Sequence, residues 1–453
     1  MTVDVVNPWS GRIERRYPYM APAEVETVIA GAARGFVEWS KRPFAERADG
    51  LRAMAQQMRA RKPDLAALMT AEMGKRRVEA EAEVEKCAGA CDYYAEHGAA
   101  HLASESVPVQ GGRGLIRYEP LGPILAIMPW NFPFWQAIRF LAPVLAAGNV
   151  ALLKHAVNVP GCADALGELV RAAGLPAGAL SVLHIDNQAA AQVIADPRVC
   201  GVALTGSERA GRSVAATAGA NLKKCVLELG GSDPFVVLAD ADLDKAVATA
   251  LASRFDNAGQ TCIAAKRFVL TAEIADEFTE RFLAGAAGLV VSDPADPDCR
   301  MAPMARPDLR DGLHRQVQRS IEAGARLLLG GRPGERPCAY PATVLTDIRP
   351  GMPAYDEELF GPVASLFVVP DEEQALRVAN DSSYGLGASV WSRDEARARA
   401  MAERVEAGAV FINGRVRSDY PLPFGGVKRS GFGRELGAHG LREFTNIKSI
   451  FVE

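Results

Sequence analysis

Cys262 sits between a glycine-led turn and a strand-like run, in Gly259-Gln-Thr-Cys262-Ile-Ala-Ala-Lys-Arg267, and is the first residue of this chain placed to do chemistry. A free thiol has a pKa of about 8.5 and is only a few per cent thiolate near neutrality, so a nucleophilic cysteine needs N–H donors or an adjacent base. Taken alone, Cys262 reads as a structural thiol more often than a reactive one. Glu228, in Val226-Leu-Glu-Leu-Gly-Gly231, is a candidate base. Partial burial raises a carboxyl pKa toward the useful range, and the two glycines let backbone approach closely. An exposed glutamate on an alternating strand is the equally weighted alternative. Asn131 lies in Pro129-Trp-Asn-Phe-Pro-Phe-Trp135, a proline-stiffened loop directly after a strand, where its amide could donate to an oxyanion or simply form a turn. Gly206 and Ser207, in Leu204-Thr-Gly-Ser-Glu-Arg-Ala-Gly-Arg-Ser213, open a helix after a strand and would offer N–H groups and a hydroxyl to a pyrophosphate. This departs from the G-x-G-x-x-G fingerprint, so a capped helix without a ligand stays open.

The elements that must position these residues are legible as an α/β pattern. From Pro22 to His101, apolar residues recur at three and four, as at Val25, Val28 and Ile29, and predict amphipathic helices covering something else. After Gly111-Gly112, strand-like runs (Ile124–Met128, Val150–Leu153, Leu180–His184, Val199–Leu204) alternate with helical ones (Ala137–Ala147, Ala163–Ala173, Ala189–Ala195). Gly and Pro mark the joints, which is the grammar of βαβ units and of a Rossmann-type nucleotide-binding domain. A second α/β series follows Gly230-Gly231, with strands at Phe235–Leu238, Arg267–Leu270, Ala364–Val369 and Ala388–Val390 and helices at Leu243–Phe255, Ile274–Leu289, Asp308–Ala323 and Glu372–Ala379.

Composition limits the partners. With 453 residues, 49% hydrophobic and 23% charged, the chain predicts two or three globular domains. A net charge of −4 without a basic run excludes a nucleic-acid footprint and favours a small-molecule partner. No signal peptide is expected, and the most apolar region, Leu121 to Leu153, is too interrupted to span a membrane. Eight cysteines without paired spacing fit reduced thiols in a cytoplasmic protein. Cys87 and Cys91 read as two half-buried helix cysteines, and no metal site is expected.

Together, Pro129–Pro133, Leu204–Gly211, Glu228–Gly231, Gly259–Cys262, Glu357-Glu-Leu-Phe-Gly-Pro-Val363 and Pro423-Phe-Gly-Gly-Val-Lys-Arg-Ser-Gly431 resemble, in order and spacing, the aldehyde dehydrogenase superfamily over essentially the whole chain. Leu153-Lys-His-Ala, Glu228-Leu-Gly-Gly-Ser-Asp-Pro-Phe, Ala264-Ala-Lys-Arg and Phe432-Gly-Arg-Glu-Leu are similar to the short bacterial succinate-semialdehyde dehydrogenases. The resemblance implies that Cys262 attacks an aldehyde carbonyl, that Asn131 and the Cys262 N–H hold the oxyanion, and that Glu228 activates water to hydrolyse the thioester. It implies NADP or NAD in a cleft made by Trp130, Lys154 at the adenosine ribose, Gly206 and Ser207 at the pyrophosphate, Glu358 at the nicotinamide ribose and Phe360 beside it. Where many NAD-preferring members carry a glutamate three residues after the lysine, this chain has Val157, so NADP is expected to be accepted.

For the substrate, Arg139 takes the place of an arginine that binds the distal carboxylate of succinate semialdehyde; a solvated helix arginine is the alternative. A second family arginine, six residues before the cysteine, is replaced by Asp256, which should repel a carboxylate unless neutralised. Arg415, Arg417 and Ser418 are candidates to restore the positive charge, and would equally suit a phosphono-aldehyde. Glutarate semialdehyde or a broad range of aliphatic aldehydes are further alternatives, and a cysteine hydrolase is the rival outside the class. The family fold implies a cofactor domain from residues 1–102 and 123–230, a catalytic domain from 231–425, and a small β bridging element from 103–122 and 426–453. That element implies a homodimer or homotetramer.

Overall fold

The computed structural model describes residues 2–453. Its first sheet is six-stranded, in the order Gly431–Phe432, Lys224–Glu228, Gly201–Thr205, Pro123–Met128, Val150–His155, Leu180–Val182, and every pairing is parallel except that of the Gly431–Phe432 edge. The Ile124-Leu-Ala run is apolar without alternation because both faces of this central strand are covered, as parallel strands require. A second sheet of seven strands runs Arg326–Leu329, Thr343–Thr346, Val363–Val369, Ala265–Thr271, Asp233–Val237, Gly387–Trp391, Ala409–Ile412, parallel apart from its first pair. One buried cluster fills the first sheet and its helices, and two clusters sandwich the second. The two α/β series of the sequence are therefore two sheets. The chain passes from one to the other directly, since Lys224–Glu228 ends the first and Asp233–Val237 enters the second.

The expected helical cover is present as Pro22–Trp39, Phe44–Ala60, Lys62–Met73 and Arg77–His101. Ahead of it lies an antiparallel hairpin, Thr2–Val6 with Ile13–Pro18, that the helical reading did not include. It is short and largely exposed, so no periodic apolar face announced it. Cys87 and Cys91 are fully buried rather than half-buried, because Arg77–His101 packs on several helices at once instead of lying on a surface. Glu105–Val109, Gly112–Pro120 and Thr445–Val452 form a separate three-stranded antiparallel sheet. Only the last eight or so residues of the tail enter it; Gly431–Phe432 and the helix Gly437–Glu443 pack on the first sheet and its helices. Among the described residues no helix is long and apolar enough to cross a membrane.

The helix Pro133–Ala147 matters most for the site. Pro133 opens it at a position that needs no N–H, Gly148 closes it at φ 94°, and every residue between is buried. Its first-turn amides at Phe134 and Trp135, which have no partner within the helix, donate to Glu83 Oε1 at 2.9 Å each, and the other Glu83 oxygen pairs with Lys75, which is fully buried. A buried carboxylate stripped of its counter-charge is costly. Lys75→Met is expected to lower stability by about 3–5 kcal/mol in urea unfolding, and the double variant with Glu83→Gln by less. Equal losses would mean that the pair is not coupled.

Candidate active site

The carboxyl ends of the first sheet face the amino ends of the second, and the chemistry-bearing residues collect at that seam. Cys262 precedes Ala265–Thr271 on a loop whose backbone is tightly constrained. Asn257 and Ala258 lie in the left-handed region at φ 54° and 52°, where a side chain is disfavoured. Several buried groups hold this strained turn. Arg254 donates to the carbonyls of Gly259 (2.6 Å), Gly361 (2.8 Å) and Ala265 (3.1 Å), and Lys266 Nζ donates to those of Thr261 (3.0 Å) and Cys262 (2.8 Å). Gly259 is required here. Its φ is 71°, and a Cβ would lie 2.4 Å from the Gly361 carbonyl. Asn131 is buried and donates from Nδ2 to the Gln260 carbonyl at 3.0 Å, which fixes its amide against the cysteine loop and leaves its second N–H available.

Glu228 ends its strand with the carboxylate fully buried, 3.7 Å from the Cys262 sulfur at Oε2. Desolvation pushes its pKa up to about 7, opposed by the Arg139 charge and reinforced by Glu435. Its Oε1 has no protein partner among the described residues. Burial also drives the Cys262 thiol well above its usual range, and the Glu228 charge adds to this, while Arg139 and Lys266 oppose it. The pair is thus a protonated thiol beside a carboxyl that is half ionised near neutrality.

Arg139, on Pro133–Ala147, is neither solvated nor a free cation. It is 1% exposed, and its Nη2 lies 3.4 Å from Glu228 Oε2. Its Nε pairs with Glu435 at ion-pair range but without the alignment of a hydrogen bond. Two carboxylates therefore already share its charge.

The residues expected at a cofactor lie on neighbouring strand ends. Trp130 follows Pro123–Met128, Lys154 ends Val150–His155, Gly206 and Ser207 follow Gly201–Thr205, and Glu228 ends the strand beyond. From Pro123–Met128 the chain winds outward to one side as far as Leu180–Val182, then returns to Gly201–Thr205 on the other, so the crevice between is a topological switch point. Ser207 caps the helix Glu208–Ala220, and Gly206 N–H donates to the Glu228 carbonyl at 2.9 Å. Lys154 is largely buried, with only Asn187 Oδ1 near its ammonium at 3.3 Å, and burial lowers its pKa. Glu358 accepts from Gly231 N–H at 3.1 Å and pairs with Lys266 at 3.2 Å. It packs so closely that a Cβ on Gly230 would lie 2.3 Å from its oxygen. Phe360 meets Trp130 edge to face, centroids 5.9 Å apart. A helix amino end, an under-partnered buried ammonium and paired aromatic rings at one switch point fit a dinucleotide carrying phosphates, ribose hydroxyls and a flat ring.

Cys262 opens into a cavity of about 390 Å³ reached by Arg139, Trp135, Phe424, Asp256 and Ser418. Asp256 is neutralised, as a carboxylate-binding site would need, by Arg415 and, at 3.8 Å, by Arg76. That uses up Arg415, and Arg417 pairs with Asp419 at 2.9 Å, so neither supplies a spare charge. Ser418 accepts a hydrogen bond at 2.8 Å from Lys86, a residue the motif reading passed over. Arg254, Lys266, Gln260, Asn257 and Glu435 were missed as well. Each acts through the backbone or through another side chain; Gln260, Lys266 and Glu435 lay inside quoted motifs without being singled out, and Arg254 and Asn257 lay outside them.

A sequence model described as the aldehyde dehydrogenase family matches residues 1–450. The NAD(P)+-dependent succinate semialdehyde dehydrogenase Sad of Escherichia coli is 50% identical over 447 residues, 98% of this chain and 97% of that protein. The NADP+-dependent succinate-semialdehyde dehydrogenase 1 of Mycobacterium tuberculosis is 47% identical over 456 residues and the full length of both. The solved structure of succinic semialdehyde dehydrogenase from Streptococcus pyogenes, in complex with NADP+, matches with a TM-score of 0.97 at 37% identity over 99% of each chain.

Proposed function

This chain belongs to the aldehyde dehydrogenase family, and from that premise we propose that it oxidises succinate semialdehyde to succinate through a thioester on Cys262. It is an NAD(P)-dependent aldehyde dehydrogenase. The observation that carries the chemical reading is the buried carboxyl of Glu228, 3.7 Å from the sulfur of Cys262, which itself lines the cavity.

In this reading Glu228 takes the thiol proton, and the thiolate adds to the aldehyde carbon. The oxyanion lies against the second Asn131 N–H and the Cys262 backbone N–H. A bound nicotinamide would supply the hydride acceptor that lets the adduct on Cys262 collapse to the thioester. Once the thiol proton has passed on to solvent, Glu228 draws a proton from water, with Oε1 as the free acceptor; the acid departs and the Cys262 sulfur leaves as thiolate. Lys154, Gly206, Ser207, Glu358, Phe360 and Trp130 would hold the cofactor. Val157 stands exposed in the loop after Lys154, so no carboxylate there opposes a 2′-phosphate. A cysteine hydrolase would need a histidine partner, and among the described residues no histidine lines the cavity.

The names of the two relatives support the substrate, and so does the neutralisation of Asp256. Steady-state kinetics over succinate semialdehyde, glutarate semialdehyde, phosphonoacetaldehyde and butanal, each with NADP and NAD, test this reading. Succinate semialdehyde is expected to exceed butanal in kcat/KM by roughly ten- to a hundredfold, the worth of a charge-assisted contact. NADP is expected to serve at least as well as NAD. A strong NAD preference would refute the Val157 argument, and equal use of butanal would refute the substrate.

The division into a cofactor domain (1–102 and 123–230), a catalytic domain (231–425) and a bridging element, expected over 103–122 and 426–453 and narrowed by the fold to 103–122 and Thr445–Val452, is part of the same proposal, as is a cytoplasmic homodimer or homotetramer. The three-stranded sheet supports assembly because it exposes Val107, Val109, Ile447, Phe451 and Val452 on otherwise small elements.

A further inference from the structure

A census of the charges around the cavity leaves one cation over. Among the described residues, Arg76 pairs with Glu79 and Asp256, Arg415 with Asp256, and Arg417 with Asp419. Arg139 is shared by Glu228 and Glu435. Lys86 alone has no carboxylate within 4 Å among the described residues. The acid one helical turn before it, Glu83, is fully committed to Lys75 and to the amides of Phe134 and Trp135. The Lys86 ammonium lies 4.3 Å from the centroid of the Trp135 ring and donates one of its three N–H bonds to Ser418 Oγ, so two donors remain. Trp135, Ser418 and Cys262 all line the same cavity.

We infer that Lys86, steadied by Ser418, receives the distal carboxylate of an acidic aldehyde whose carbonyl lies at Cys262. A half-buried ammonium without a counter-ion gains more from an arriving anion than the Arg139 guanidinium, which already has two carboxyl partners. Desolvation, followed by the nearby Arg139 charge, lowers the Lys86 pKa to about 8, so the ammonium is mostly charged at neutral pH and a carboxylate would hold it so. Arg139 accordingly acts on Glu228, and specificity lies across the cavity on the helix Arg77–His101. The inference rests on the reading of the substrate as an acidic aldehyde.

The test is kcat/KM for succinate semialdehyde and for butanal, of equal chain length, at saturating NADP in wild type, Lys86→Met, Lys86→Arg and Ser418→Ala. In K86M the ratio of the two values is expected to fall on the order of ten- to a hundredfold, through a higher KM for succinate semialdehyde. K86R should recover most of the ratio and S418A should lose part of it; if K86M does not fold, these two carry the test. A high wild-type ratio that K86M leaves intact, or that K86R fails to restore, overturns the assignment while sparing the substrate. A wild-type ratio near one overturns the acidic-aldehyde reading and this assignment with it.

Discussion

Cys262→Ala is expected to lower kcat/KM for aldehyde oxidation by on the order of 10⁴-fold or more while leaving NADP affinity nearly intact. The size follows from the role. Removing a covalent nucleophile leaves no second route to the acyl intermediate, and such losses dwarf those of binding contacts. The separation from cofactor affinity follows from position, because Cys262 lies on the loop before the second sheet whereas Lys154 and Ser207 lie on strand ends of the first. Fluorescence titration with NADP and acid-quench mass spectrometry read the two halves. The wild-type protein mixed with succinate semialdehyde and NADP should carry the succinyl mass on the peptide containing Cys262, and C262A should carry none. A label on another cysteine is not anticipated. Cys87, Cys91 and Cys162 are sealed in the core and, unlike Cys262, do not line the cavity. Retention of even a tenth of the turnover in C262A would end the thioester mechanism.

The strand and helix pattern was readable wherever packing leaves a period in the sequence. Leu243–Phe255 falls on its expected bounds, and Pro133–Ala147 begins four residues ahead of the expected Ala137 because Pro133 was read as loop stiffening and not as a helix start. Glu228 was recognisable as an acid in an apolar run, and its burial turned an even alternative into a carboxyl near neutrality. What the sequence could not carry is charge pairing across distance. Arg139 and Glu435 are separated by nearly three hundred residues, and Lys86 and Ser418 by 332. Nothing local distinguishes a cation that has found two carboxylates from one that has found none. The expectation for Arg139 rested on its place relative to Asn131, and that place is met; its available charge is what the fold redistributed. Lys86 is the one lysine of Arg77–His101, a helix rich in Ala and Glu, and no motif singled it out.

Glu228→Gln is expected to lower steady-state kcat by about 10²- to 10⁴-fold, the usual worth of a positioned base, and to expose a burst of about one equivalent of reduced cofactor. The burst appears because the amide removes the base for water more completely than it hampers attack. The Cys262 thiol is raised partly by the Glu228 charge, so the neutral amide relieves that repulsion even as it withdraws the proton acceptor. The pH profile gives a second readout. With the Glu228 pKa near 7, wild-type kcat should climb as pH rises through about 7, and E228Q should be flat over that window. Stability should carry the opposite slope. The folded carboxyl keeps its proton up to about 7, whereas the unfolded one loses it near its ordinary 4.5, so stability falls as pH rises between them. In E228Q this fall should be shallower without vanishing, because Glu72 at about 7 and Asp233 at about 8 contribute in the same sense. A loss of turnover with no burst would place Glu228 before hydride transfer alone, as the base for the thiol, and would leave the hydrolytic water to another residue.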